Sequence, residues 1–346
     1  MSRSVGVVIP TRGDRPAQLR EAVAGVLAQD YPGRLSLVVV ADGADPEEVA
    51  KQIAVRVLRG GAEPVPVRVL RGGVERVDGV SVRVLRGGAE QVPVRVLSGG
   101  VERVDGVTVR VLANRLTPGL PGARNTGIAA CDTDLIAFCD DDDVWLPGKL
   151  AAQERALRGR GTFASCGIEV EHGRRRVTRL AGASVVTVAD LTRSRMVMVH
   201  SSTFLFERGG LWADESAPAG QNEDWDLAMR AAKQRPIVHV DRPLVRVRWG
   251  GSHYVARWAD RIAGLQWMLA RHPELAADSR GAARVYGQLA FGHAALGNRR
   301  EAVRWAGRTL AAWPGEPRAP IALAVAAGLI SAPAILSLLH NRGHGI

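Results

Sequence analysis

Cysteine is scarce and unpatterned: Cys131, Cys139 and Cys166 are the only three in 346 residues. An odd trio without zinc-site or paired spacing excludes a disulfide framework and fits a reducing compartment. Phe and Tyr together number eight. No compact basic block is interleaved with aromatics, which excludes a nucleic-acid surface as the first reading. The opening Met1-Ser2-Arg3-Ser4-Val5 lacks the layout of a secretory signal, so the expectation is a cytoplasmic protein. Acidic residues are outnumbered, 35 against 46 Lys plus Arg, for a formal net charge of +11. Much of that excess is arginine. It suits coding bias, anionic ligands or a peripheral contact with an anionic membrane at its inner face.

An apolar share of 46% supports a full core, and the length suits one large domain or two ordinary ones. Val5 to Pro10 and Leu35 to Ala41 read as buried strands, ended by Pro10-Thr11-Arg12-Gly13 and Asp42-Gly43. Helical spacing over 16–29 and a helix from about Pro46 to Ile53 give a βαβα order. That order predicts an α/β fold with a doubly wound sheet.

A tandem repeat interrupts this pattern. Val55-Arg56-Val57-Leu58-Arg59-Gly60-Gly61 recurs at 67–73, 82–88 and, with one change, 94–100, so that 55–81 nearly equals 82–108. Alternating Val with Arg or Leu, broken at Gly-Gly or Asp-Gly, is the pattern of short strands and tight turns. Two readings stand: a β insertion used for contacts, or a passive duplication tolerated at low entropic cost.

The most informative feature follows. Asp140 to Asp143 abut the apolar run Leu135-Ile136-Ala137-Phe138-Cys139. Four carboxylates at a strand end repel one another unless a cation lies between them. A hard ion such as Mg²⁺ or Mn²⁺ takes oxygen ligands and shares them with substrate phosphates. The bland alternative is a solvated acidic turn. Beyond it, 163–170, 176–188, His200 to Phe206 and Ile237 to Trp249 read as strands or edge segments. A helix is expected from Asn222 to about Lys233. From Tyr254 the chain turns helical, with a tetratricopeptide-like hairpin over 283–314 around Gly297-Asn298. The apolar Ala319 to His340 is about long enough to span a bilayer. Its Gly328, Pro333 and serines favour a packed or membrane-surface helix instead.

Four motifs in order carry a family resemblance: Val7-Val8-Ile9-Pro10-Thr11-Arg12, Val38-Val39-Val40-Ala41-Asp42-Gly43, Pro121-Gly122-Ala123-Arg124-Asn125-Thr126-Gly127 with the aspartate strand after it, and Glu223-Asp224-Trp225-Asp226-Leu227. The chain resembles a family 2 glycosyltransferase of the inverting, nucleotide-sugar-dependent GT-A type. The resemblance implies a GT-A mixed sheet flanked by helices over 1–253, with 55–108 as a repeat-derived insertion and 254–346 as an α-helical C-terminal region. It implies a nucleoside-diphosphate sugar donor, a UDP-sugar first, and a hydroxyl acceptor on a glycan, lipid or small molecule. Residue by residue, it places Pro10, Thr11, Arg12, Asp42, Arg124 and Asp141 at the donor. Asp140, Asp142 and His253 fall at a Mn²⁺ or Mg²⁺ ion, with Asp224 as general base and Glu223 beside it. Trp225 and Trp249 are candidates for sugar stacking or core packing. The third strand is expected at Val109 to Leu112. Ala41, where relatives often carry an aspartate, departs from the pattern.

Two rivals remain. Asp140-Asp141-Asp142-Asp143-Val144 also fits the nucleophile motif of haloacid-dehalogenase-like phosphatases, although that strand normally lies near the N-terminus. A non-catalytic, repeat-bearing interaction protein is the other. A nicotinamide reading of Gly159-Arg160-Gly161 is discarded, because that stretch follows a helix and precedes a strand.

Overall fold

Apolar residues fill both faces of the two N-terminal strands, so each must be covered on both sides. β1 (Val5–Thr11) and β2 (Leu35–Ala41) are buried at every position, as interior parallel strands require. The structure, a computed structural model, describes residues 2–53, 82–84, 107–173, 175–248 and 257–341. Most of the repeat insertion lies outside these residues, as do Trp249 and His253.

Between the first two strands runs α1 (Pro16–Leu27), whose Leu19, Ala22, Val23, Val26 and Leu27 face the core. α2 (Pro46–Gln52) opens on Asp45, which accepts the Glu47 N–H, with Pro46 in the first turn. Such a cap satisfies one of the orphan donors at a helix start. From the repeats, β3 (Val82–Val84) pairs in parallel with β4 (Thr108–Ala113), which pairs in parallel with β2. The expected third strand is therefore present, two residues longer than predicted.

α3 (Leu120–Ala130) buries Pro121 through Ile128, including the polar Arg124, Asn125 and Thr126. It lies flat on β1: a Cβ at Gly127 would stand 2.2 Å from Val8 Cγ1. β5 (Leu135–Phe138) pairs in parallel with β1. β6 (Val144–Trp145) and α4 (Lys149–Leu157) follow. β7 (Phe163–His172), β8 (Arg175–Arg179) and β9 (Val185–Val186) split the two predicted strand regions. α5 (Val188–Arg193) begins with a reciprocal Thr187–Asp190 capping box. The predicted strand over His200 to Phe206 is shorter. A 3-10 turn takes Ser201–Thr203, and only β10 (Leu205–Glu207) is strand. α6 (Glu223–Gln234) and β11 (Ile237–Arg248) complete this part.

Among the described residues the sheet order is β3-β4-β2-β1-β5-β10-β7-β11-β6, with β8 on β7 and β9 on β11. Strands β3, β4, β2, β1 and β5 run parallel, and β10 is antiparallel to both β5 and β7. The sheet is mixed, with helices packed on it.

The C-terminal region is helical: α7 (Trp258–Arg271), α8 (Glu274–Ala277), α9 (Ser279–Ala295), α10 (Arg299–Ala312), α11 (Arg318–Ala326) and α12 (Ala332–Asn341). α9 and α10 form the expected hairpin. Leu289 and Phe291 of α9, with Ile262, Leu265 and Met268 of α7, join the core of the sheet. The apolar 319–340 stretch is two helices, broken at Gly328 with φ of +78°. Among the described residues no helix is long and apolar enough to cross a membrane.

One core residue breaks the usual economy of burial. Lys149 is fully buried, its Nζ lies 3.9 Å from the Trp145 ring centroid, and it has no hydrogen-bond partner. Burial pushes its pKa down to about 8, against a smaller opposing pull from Cys166 and Cys139. A desolvated cation–π contact contributes about 2 kcal/mol, less than the several kcal/mol that burying an ammonium costs. Lys149→Met should therefore raise stability by about 1–3 kcal/mol at pH 7. The native penalty is full below pH 8 and fades as pH rises toward the unfolded lysine value of 10.5. The advantage of the variant should shrink over that window. Urea unfolding at pH 7 and pH 9.5 measures it; an equal gain at both would refute the cause.

Candidate active site

Parallel strands deliver their carboxyl ends to one edge, and in open α/β sheets ligands settle there. Here the ends of β1, β2 and β5 bring Thr11, Asp42 and Asp140 to the same cavity. The cavity measures about 790 Å³ and is lined by Pro10, Thr11, Arg12, Arg15, Asp42, Arg124, Asp140, Asp141, Asp142, His200, Glu223 and Asp224, among others. All predicted site residues except His253, which lies outside the described residues, thus line one space.

The acidic cluster is tied into the walls residue by residue. Thr11 Oγ1 donates to Asp141 Oδ2 at 2.6 Å. Arg15 pairs with Asp142 and lies 3.7 Å from Asp141. Arg124 Nη2 donates to Asp140 Oδ1 at 2.6 Å, and its Nη1 pairs with Glu223. Ser201 Oγ donates to Asp140 Oδ2 at 2.7 Å, while the Asp140 N–H donates to Ser202 Oγ at 2.9 Å. Arg124 is buried with its guanidinium against the Phe138 ring, 5.2 Å from the centroid. Buried between two carboxylates, it bridges the aspartate turn to the start of α6.

Burial and mutual repulsion push the cluster's protons on. Asp141 is raised to about 7, chiefly by burial and then by Asp142, against the Thr11 bond. Asp142 is raised by burial and Asp140, and Asp143 well above its usual value by burial, Asp142 and Asp140. Ionising all four carboxylates would leave more negative charge than Arg15 and Arg124 neutralise, and a bound cation would relieve that cost.

The grouping that fits an ion differs from the predicted one. Ligand atoms of Asp140, Asp143 and His200 all lie within 4.8 Å of one another. His200 Nε2 is buried without a hydrogen-bond partner and stands 3.9 Å from Asp143 Oδ2. Burial lowers the His200 pKa despite the pull of Asp140 and Asp224. The ring is thus kept neutral, as a ligand must be. Two carboxylates and one imidazole suit a divalent ion. Asp142, predicted in this role, is outside the grouping: its side chain turns to Arg15. Sequence spacing could not separate Asp142 from Asp143, because a backbone bond from Asp143 N–H to Asp140 O at 3.1 Å curls the turn. His200 was missed altogether. Its signal was the polar run His200-Ser201-Ser202-Thr203, which breaks an apolar strand pattern.

Asp42 is engaged more than expected. Asn114 Nδ2 donates to its Oδ1 at 2.8 Å, and the Gly119 N–H to its Oδ2 at 2.9 Å. It pins the loop 114–119 that forms one wall. Asp224 sits in the first turn of α6, and Arg195 Nη2 donates to both of its oxygens at 3.0 and 2.8 Å. Burial opposes its charge, yet the guanidiniums of Arg195 and Arg124 outweigh burial and hold Asp224 below the ordinary carboxylate value. It is ionised at neutral pH. Trp225 is fully buried and so takes the packing role rather than the sugar-stacking one. Arg195 was another omission of the sequence reading.

Residues 96–202 match the family model described as glycosyl transferase family 2. The chain carries a glycosyltransferase family 2 domain. The matched segment holds Arg124, the aspartate turn and His200; Thr11, Asp42 and Asp224 lie outside it. No curated protein matches the chain in sequence. The crystal structure of S. aureus TarS 1-349 covers 93% of this chain and 88% of its own, at 11% identity and a TM-score of 0.53. The same TarS fragment in complex with UDP gives 13% identity, coverage of 93% and 88%, and a TM-score of 0.52. With UDP-GlcNAc the values are 12%, 93%, 88% and 0.50. Identities this low bear on the fold, which this glycosyltransferase shares with them.

Proposed function

We propose that this glycosyltransferase moves a sugar from a nucleoside-diphosphate sugar, with a UDP-sugar as first candidate, to a hydroxyl acceptor on a glycan, lipid or small molecule, with inversion. The carrying observation is that the aspartate turn and the Glu223-Asp224 helix start face one cavity and are joined by Arg124. The UDP and UDP-GlcNAc complexes of TarS, which share the fold, support the choice of donor.

In this reading Asp140, Asp143 and His200 hold a Mn²⁺ or Mg²⁺ ion. Such an ion neutralises charge on a leaving diphosphate. Arg12, Arg15 and Arg124 supply further positive charge along the same wall. Asp141, through Thr11, and Asp142, through Arg15, fix the donor side. Asp42 fixes it through the loop that it pins. Asp224 receives the acceptor's proton. As the hydroxyl oxygen bonds to the anomeric carbon, the carbon–oxygen bond to the diphosphate breaks and that oxygen keeps the electron pair. The O–H proton passes to the Asp224 carboxylate. A carboxylate below its ordinary pKa is a weak base, but the attacking hydroxyl grows acidic as its bond to carbon forms. What Asp224 needs is to be ionised, and Arg195 supplies that. Glu223, paired with Arg124, orients the helix start. The division into a transferase domain over 1–253 and a helical region over 254–346 belongs to the same proposal, as does a cytoplasmic site of action.

A phosphatase would use Asp140 as nucleophile. Both of its oxygens are held, by Arg124 and Ser201, which disfavours that role.

A lipid-linked acceptor accords with one surface. Ala294, Ala302 and Ala326 pack together at one end of the helical region. Beside them Leu296, Val303, Leu329 and Ile330 are exposed, Leu329 by 79%. Arg299 and Arg300 are exposed on the same turn. Exposed apolar side chains rimmed by arginine suit an anionic bilayer surface. The protein should sediment with phosphatidylglycerol vesicles and not with phosphatidylcholine vesicles. The Leu329→Ser/Ile330→Ser double variant should lose this while keeping its activity on a soluble acceptor. No sedimentation with either vesicle, or a dimer through this face seen by light scattering, would refute the membrane reading.

A further inference from the structure

Asp224 is not positioned by the transferase sheet alone. Its partner Arg195 lies against the indole of Trp225, 5.4 Å from the ring centroid, and also donates to Val199 O at 3.1 Å. A second guanidinium, Arg284 of α9, lies against the same indole at 5.1 Å. The Trp225 side chain is fully buried, and its own backbone N–H donates to Asp224 Oδ1 at 2.8 Å. One aromatic ring thus holds two cations, one of which grips the base.

Arg284 is costly where it stands. Its Nε and Nη1 are buried without a hydrogen-bond partner, and its Nη2 reaches only Thr192 O at 3.5 Å. Burial first, then the like charges of Arg195 and Arg318, push its pKa down to about 9. A buried guanidinium beside another is unfavourable unless the arrangement serves something else. α9 is fitted closely to deliver it: a Cβ at Gly281 would lie 2.4 Å from Thr192 O, and Arg193 pairs with Asp278 at 3.5 Å. The helix therefore docks on the end of α5, one turn before Arg195.

We propose that Arg284 is a positioning residue for Asp224, so that the C-terminal helical region completes the catalytic apparatus. The inference rests on the reading of Asp224 as the base. Arg284 holds the Trp225 ring by a cation–π contact, and its charge repels Arg195 toward the Asp224 carboxylate. Arg195 then fixes both Asp224 oxygens. Without Arg284 the base would keep its identity and lose its aim, and small misplacements of a reacting group cost large rate factors.

The test is a double-mutant cycle on the full chain, with UDP-sugar hydrolysis or transfer as the rate and UDP binding by calorimetry as the control. Arg284→Met should lower kcat about tenfold and leave the UDP dissociation constant within about twofold of wild type. Arg284→Lys, which restores the cation, should recover most of the rate. In an Asp224→Asn background, Arg284→Met should cost nothing more, because the two act through one group. Wild-type kcat in Arg284→Met would overturn the proposal, as would additive losses in the double variant. If Arg284→Met does not fold, the Arg284→Lys and Trp225→Phe variants run through the same cycle decide it. Full activity of Asp224→Asn by itself would instead sink the assignment of the base, a separate failure.

Discussion

Asp224→Asn is expected to bind UDP as wild type does and to lose transfer by about a thousandfold, the usual worth of a positioned general base. The carboxamide keeps the size of the side chain and removes its power to take a proton. Arg195 would lose one charged partner, yet its bond to Val199 O and its contact with Trp225 hold it in place. Donor affinity resides on the aspartate turn with Arg12, Arg15 and Arg124, so it should stay within about twofold. A split of this kind, kcat lost and binding kept, marks an interaction made in the transition state. Transfer measured by chromatography under saturating donor checks it. Transfer at the wild-type rate in Asp224→Asn would remove the base from the account.

The second large effect concerns the aspartate turn. Asp140→Asn and His200→Ala should each abolish the divalent-ion dependence of UDP binding and reduce transfer by two orders of magnitude or more. Asp140 contributes a charge to the ion-binding group and anchors Arg124 and Ser201. His200 contributes only the ring nitrogen, which has no other partner. His200→Ala is therefore the cleaner variant, since little else depends on that atom. Asp142→Asn should act more mildly, weakening donor binding through Arg15 while metal dependence persists. A titration of Mn²⁺ into each variant with UDP present separates them. Metal dependence lost in Asp142→Asn and kept in His200→Ala would reverse the assignment.

The frame of this molecule was legible for a clear physical reason. Val5–Thr11 and Leu35–Ala41 are apolar on both faces, and only a covered parallel strand buries both. Val109 to Leu112 was identified as the third strand because it joins the arginine motif directly, and β4 stands there. The start of α6 was visible in the acidic run at its positive end. What was not legible depends on backbone curvature. Four adjacent aspartates give no clue to which carboxylate turns inward, since a hydrogen-bonded turn decides it. His200 is separated from Asp143 by four strands and two helices, and no spacing rule joins them. Arg195 lies in a stretch that carries no motif, and Arg284 in the hairpin over 283–314, read only as helices packing on the main domain. Their meaning comes from a shared contact with Trp225 that only tertiary packing creates. The apolar 319–340 stretch was read against a span on account of Gly328 and Pro333, and the left-handed turn at Gly328 divides it into two short helices.

Of the repeat insertion, most of which lies outside the described residues, one short strand is described. Val82–Val84 adds one parallel strand to the sheet edge next to β4. Two strands separate it from β1 and three from β5, so this strand is remote from the aspartate turn.

The central claim is that the Asp140, Asp143 and His200 group binds a divalent ion together with a nucleoside diphosphate. Isothermal titration of UDP into the full chain, with Mn²⁺ and with chelator, tests it most directly. The account predicts uptake of one UDP per chain with Mn²⁺, at least tenfold weaker binding with chelator, and no such difference in His200→Ala. Folded wild-type protein that binds UDP equally well under both conditions, or not at all, would contradict it.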